Sequence, residues 1–183
     1  ALVAINSDKA DLALTEALKN TKSNVTIQKD IVLAIAEADA SGAEQAIKDL
    51  LNSPDENTRK VALYALSQIG SVGSLSALGD LAANSGYSME KTGANEAYIA
   101  LIKKLANQGD TKVAESAASD LMTKATKAGK TQTRDAALEI LISIQKEKGL
   151  KLILDALKDD SKEYRNAALS YASGIVSDPV YIE

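Results

Sequence analysis

Asp55-Glu56-Asn57-Thr58-Arg59-Lys60-Val61-Ala62-Leu63-Tyr64-Ala65-Leu66-Ser67-Gln68-Ile69-Gly70 is the stretch on which the fold turns. Its apolar residues Ala62, Leu63, Ala65, Leu66 and Ile69 return at helical spacing, not in the alternation of a strand. Asp55 stands where a helix N-cap is wanted, and Gly70 where the helix must stop. The core of this pattern recurs as Thr133-Arg134-Asp135-Ala136-Ala137-Leu138 and as Tyr164-Arg165-Asn166-Ala167-Ala168-Leu169. The three arginines stand 75 and 31 residues apart. A second pattern, Ala46-Ile47-Lys48-Asp49-Leu50-Leu51, returns as Ala77-Leu78-Gly79-Asp80-Leu81-Ala82 at an offset of 31, and Ile153-Leu154-Asp155-Ala156-Leu157-Lys158 plays the same part later. A two-helix unit of 31 residues explains the shorter spacing directly. The longer one is two units plus 13 residues, which fall in 84–98 and in a long helix ending near Ala128.

Outward from these copies, helical periodicity covers the chain. The spacing predicts helices over about 8–20, 25–39, 42–52, 56–69, 73–84, 91–107, 111–128, 132–147, 150–158 and 161–176. The links are short and carry Gly, Ser, Asn and Asp, as in Asp39-Ala40-Ser41-Gly42 and Gln108-Gly109-Asp110. Short links favour antiparallel neighbours. A single helical hairpin cannot bury its own apolar face, and stacking on its neighbours completes it.

This pattern resembles the HEAT-like repeats of the short bacterial type, an armadillo-type alpha-alpha superhelix. In that family the first helix commonly reads Asp, a few residues, Arg, then Ala and Leu, and ends near Ile-Gly. Asp55 to Gly70 is the best copy; Gln28 stands where Arg would be in the unit at 24–53, and the unit at 91–128 has no clear Arg. The resemblance implies an all-α, right-handed solenoid of about five helical hairpins and about ten helices. One domain, 1–183, is expected, with units at about 1–20 (partial), 24–53, 55–84, 91–128, 131–159 and 161–183 (partial). Ala1 to Ile5 read as the end of a first helix. Asp178-Pro179 reads as the turn into a second helix, with 178–183 opening it. Neither end carries a dedicated polar cap, and a fragment of a longer protein is expected.

Composition narrows the chemistry. The chain has 183 residues, with no His, Cys, Trp or Phe and six Tyr. It therefore lacks the ligands of an N/S zinc, haem or copper site, the makings of a Ser-His-Asp triad and a disulfide. No cofactor and no metal is expected. Ala (31) and Leu (22) dominate, which suits thin layers of closely stacked helices. The net charge of −4 argues against a nucleic-acid partner, which calls for a basic surface. No apolar run reaches the ~20 residues that span a bilayer, so no membrane insertion is expected. A Cys-free chain rich in Lys, Asn, Asp and Ser, without an initiator Met, is compatible with an exported, periplasmic bacterial protein.

Candidate site residues fall into three groups. Arg59, Arg134 and Arg165 form a structural repeat ladder that pairs between repeats, each beside an acidic or capping group: Asp55 and Glu56, Asp135, or Asp160 and Glu163. A ladder gripping an anionic ligand is the alternative. Asp49, Asp80, Asp120 and Asp155 recur on second helices as an acidic stripe, either simply solvated or offered for binding. A glycosidase pair, about 5–9.5 Å apart, is the other use of such carboxylates, but no Trp or Phe accompanies them as a sugar cleft would want. Tyr87, in the inserted loop Ser85-Gly86-Tyr87-Ser88-Met89, is either a partner anchor or a contact with neighbouring repeats. Tyr64, Tyr98 and Tyr171 are expected at repeat junctions.

No catalytic residue emerges. The resemblance implies a non-catalytic scaffold whose second helices line a concave surface for a protein or peptide partner, or for another domain of the same polypeptide. The alternative is an accessory repeat segment of a larger multidomain bacterial enzyme, a carbohydrate-acting one among the options, with catalysis outside this chain.

Overall fold

The computed structural model describes residues 7–21 and 24–176, of which 7, 8, 147 and 173–176 are described in backbone only. Among the described residues the protein is all-α. Its ten α-helices are α1 (Ser7–Asn20), α2 (Val25–Glu37), α3 (Glu44–Leu50), α4 (Glu56–Ile69), α5 (Leu75–Asn84), α6 (Ala94–Gln108), α7 (Thr111–Lys127), α8 (Thr131–Gln145), α9 (Gly149–Ala156) and α10 (Lys162–Val176). Each expected helix is present. The main differences lie at the starts of second helices, where a 3-10 turn comes first: Ser41–Ala43, Val72–Ser74 and Lys146–Lys148. The expected helix ends at 1–5 and 178–183 lie outside the described residues.

Local chemistry sets the helix ends. Asn24 accepts the Ile27 N–H at 3.2 Å, and Asp55 accepts the Thr58 N–H at 2.7 Å and its hydroxyl at 2.8 Å. Such caps satisfy N–H groups that the first turn leaves without partners. Those two bonds from Thr58 hold the Asp55 carboxyl below its ordinary pKa, hydroxyl bond first. After α7, Gly129 takes a positive φ of 66°, and the Lys130 N–H closes back on the Ala125 carbonyl at 2.9 Å. Asp39 takes the same left-handed role after α2, with φ 51°.

The chain divides into two compact units, one of Ala1–Ser85 and Met89–Lys104, the other of Gly86–Ser88 and Leu105–Glu183. In the first, α2 packs along α4, α1 against α2, and α3 against α4. Val32, Ile35, Ile47, Leu66 and Ile69 form fully buried layers there. On α5, Gly79 has no side chain, and the Tyr98 ring of α6 comes within 3.3 Å of where a Cβ would stand. Lys104 donates to the Gly70 carbonyl at 3.1 Å.

In the second unit α7 lies along α8, and α8 packs on α9 and α10. Leu138, Ile142, Ile153, Ala156, Tyr164 and Ala168 form one buried cluster. The Thr133 hydroxyl donates to the Tyr87 carbonyl at 2.6 Å. The seventh residue of α4, α8 and α10 is an alanine, Ala62, Ala137 or Ala168, with no exposed surface at all. A methyl group there lets the neighbouring helix approach closely, which explains the alanine-rich composition.

Candidate functional site

The fourth residue of each motif-bearing first helix faces a link between helices. Arg59 donates to the carbonyls of Ser53 at 2.6 Å and Pro54 at 3.0 Å. Arg165 repeats this with Asp159 at 2.5 Å and Asp160 at 2.9 Å. In each case one terminal nitrogen, Nη1, with its two N–H groups, donates to both carbonyls. Arg134 differs. It reaches forward to the Asp159 carboxylate at 2.6 Å, and its guanidinium carbon lies 3.6 Å from the centre of the Tyr164 ring. Arg134's side-chain hydrogen bond is the chief reason that the Asp159 carboxyl sits below its usual range.

Asp135, expected as a neighbour of Arg134, is not its ion-pair partner. Its Oδ1 is buried without a hydrogen bond, as is Nε of Arg134. Burial pushes the Asp135 carboxyl up to about 6, against a smaller opposing pull from Arg134. Nearby on α10, burial, with Glu139 and Asp135 adding to it, pushes the Tyr171 hydroxyl up to about 12.

Among the described residues, clefts open beside the second helices. One, of about 490 Å³, lies between α1 and α3, with Leu18, Lys19, Gln28, Gln45 and Asp49 on its walls. A smaller one, of about 240 Å³, is lined by Leu51, Arg59, Leu63, Leu81 and Asn84. In the second unit a cleft of about 440 Å³ lies between α7 and α9, with Met122, Lys127, Arg134, Leu152, Asp155 and Tyr164 around it. The fourth residue of a first helix (Gln28, Arg59 or Arg134) lines each of them. Asp49 and Asp155 thus stand at clefts. All four stripe carboxylates are exposed. Asp49 accepts from Gln45 at 3.0 Å, Asp120 pairs with Lys124 at 2.7 Å, and Asp155 has Lys158 at 3.4 Å.

Tyr87 is half-buried with a positive φ of 58°, and its carbonyl is the acceptor for Thr133. Tyr98 is buried, but Tyr64 is 49% exposed on α4. A pair of glutamates went unnoticed in the sequence. Glu44 accepts the Ser71 N–H and hydroxyl, each at 3.1 Å, and the buried Ser74 hydroxyl. Glu115 accepts from Gln145 at 2.6 Å. Both occupy the position five residues before the stripe aspartate (Asp49, Asp120), and both hold the turn inside the following hairpin. The recurrence of Glu at that offset was the one available signal. Among the described residues, no group of three His, Cys, Asp or Glu side chains is arranged to hold a metal.

Residues 10–99 match the family model of HEAT repeats. That stretch runs from within α1 into α6 and takes in helices α2 to α5, and over it the chain is similar to HEAT repeats. No curated protein and no solved structure matches the chain.

Proposed function

We propose that the protein is a non-catalytic HEAT-repeat scaffold that binds a protein or peptide partner along its second helices. HEAT repeats generally serve as interaction scaffolds, and the match over residues 10–99 supports this reading. The observation that carries the reading is the recurrence of a cleft beside the second helices at α1–α3 and at α7–α9. Each combines apolar walls with a few polar groups: Leu18 with Gln28 and Asp49, and Met122 with Arg134 and Asp155. Concave apolar surface with sparse polar groups is the usual form of a binding site. One domain, 1–183, with the unit boundaries given above, goes with this reading. Among the described residues no helix is long and apolar enough to cross a membrane.

Photo-crosslinkers placed at Gln45 and Thr123, on the cleft walls, test the proposal in extracts of the source cells. The expected result is one shared adduct at both positions, competed by excess unmodified protein and lost with Asp49→Lys and Asp155→Lys. Equal labelling from an exposed site away from the clefts, such as Lys112, would sink it.

A further inference from the structure

Gln28, Arg59, Arg134 and Arg165 hold the same place, the fourth residue of a first helix. The three arginines bond within the fold. Arg59 and Arg165 donate to carbonyls of their own links, and Arg134 to the Asp159 carboxylate. Gln28 does not. It is only 7% exposed, yet among the described residues no group bonds to its side-chain amide. Buried polar groups are ordinarily paired. Nor is the amide sealed in. Unlike Arg134 Nε and Asp135 Oδ1, its oxygen and its nitrogen both keep contact with solvent. The little surface that Gln28 retains therefore includes both ends of its amide, and it lines the cleft between α1 and α3.

That cleft has described helices on every side: α1 and α3 are its walls and α2 its floor. The equivalent cleft between α7 and α9 stays open with α6 ahead of it in the chain and α10 beyond it. Around the Gln28 tip, Leu18 and Leu50 supply apolar surface. Lys19 stands in the last turn of α1 on one side. Asp49 stands on α3 on the other, with one oxygen taken by Gln45 at 3.0 Å and a second to offer. Neighbouring helices run about 8–10 Å apart, and extended chain advances ~3.3 Å per residue. About three residues of extended chain thus cross from one wall to the other.

We infer that this cleft clamps an extended segment of a partner peptide by its backbone, and that Gln28 is the residue that holds it. A primary amide carries donor and acceptor side by side. Nε2 of Gln28 donates to the carbonyl of one peptide residue, and Oε1 accepts the N–H of the same residue. A guanidinium has no acceptor, so the arginines at this position in the other hairpins cannot do the same. The clamped residue is apolar and rests on Leu18 and Leu50. Charge complementarity places an acidic neighbour toward Lys19 and a basic one toward Asp49. The inference rests on the scaffold reading above and names what the scaffold holds at this cleft.

The probe is a blocked pentapeptide, acetyl-glycine-glutamate-leucine-lysine-glycine-amide, made in this and the reversed order. A second version carries an ester in place of the leucine N–H. Each is titrated into the whole protein labelled with ¹⁵N. The expected result is a saturable shift of the Gln28 side-chain amide with one order of the peptide, and binding at least about fivefold weaker for its ester. Gln28→Met, close in volume, should bind the parent peptide at least about fivefold more weakly and no longer distinguish it from the ester. Its urea midpoint should be equal or higher, because an apolar group replaces an unpaired buried amide. Equal binding of parent and ester by the unmodified protein, or undiminished binding by Gln28→Met, overturns the inference, since the amide is then merely hydrated. Absence of any shift with either order also overturns it. Crosslinking from Gln45 and Thr123 judges the scaffold reading separately: a shared adduct there, with no pentapeptide bound, upholds that reading and refutes this one.

Discussion

Glu44 accepts three hydrogen bonds from two serines that lie 27 and 30 residues further along the chain. Burial alone would raise its carboxyl, but the bonds from Ser74 and Ser71 outweigh it and hold it below the ordinary value. Glu44→Ala strands the fully buried Ser74 hydroxyl, and a loss of about 1–3 kcal/mol is expected in urea unfolding. Because the folded carboxyl is the stronger acid, its contribution is present above the unfolded pKa and is lost as the pH falls through the folded one. Asp135 has the opposite sign. Its carboxyl is the weaker acid in the folded protein, raised from 3.8 to about 6. The native state therefore holds the proton more tightly, and stability falls as the pH rises between those two values. Asp135→Asn should remove this slope and add about 1 kcal/mol at pH 7, allowing for solvent screening. Thermal unfolding of both proteins between pH 4 and pH 8 (at about one-unit steps) checks it; parallel curves would refute the assignment.

At the scale of elements, sequence reading went far, because helix ends are local events. Asp55, Asn24 and Gly129 act on groups within a few residues of themselves, and the boundaries expected from helical periodicity fall close to those observed. Gly70 shows how strict such an end is. A Cβ there would lie 2.3 Å from the Leu66 carbonyl oxygen and 3.2 Å from Leu101. The obstacle is backbone, which cannot swing aside. Gly70→Ala should cost about 1–3 kcal/mol in chemical denaturation, and an unchanged midpoint would show that the link between α4 and α5 relaxes freely. The 3-10 turns that open second helices were less legible. A tight turn and an α-turn share nearly the same residue preferences, and packing on the next hairpin selects between them.

Over the whole molecule, the missing rings and the wealth of alanine already pointed to thin stacked layers, and the fully buried Ala62, Ala137 and Ala168 are those layers. The candidate site was less legible. The recurring Arg could be found by self-comparison, but its partners could not. Arg59 and Arg165 turn back to carbonyls of their own link, whereas Arg134 passes over its neighbour Asp135 to reach Asp159. Which acceptor wins depends on where stacking places the next link and the Tyr164 ring, and no spacing along the chain encodes that. The sequence by itself determined the helices, their ends, their pairing into hairpins and the repeat. All of these follow from caps and from contacts three or four residues apart. Only the tertiary structure decided the glutamate clasps, the division into two units within α6 and the clefts beside the second helices. Those depend on groups brought together from distant parts of the chain, where packing, not periodicity, is the governing physics.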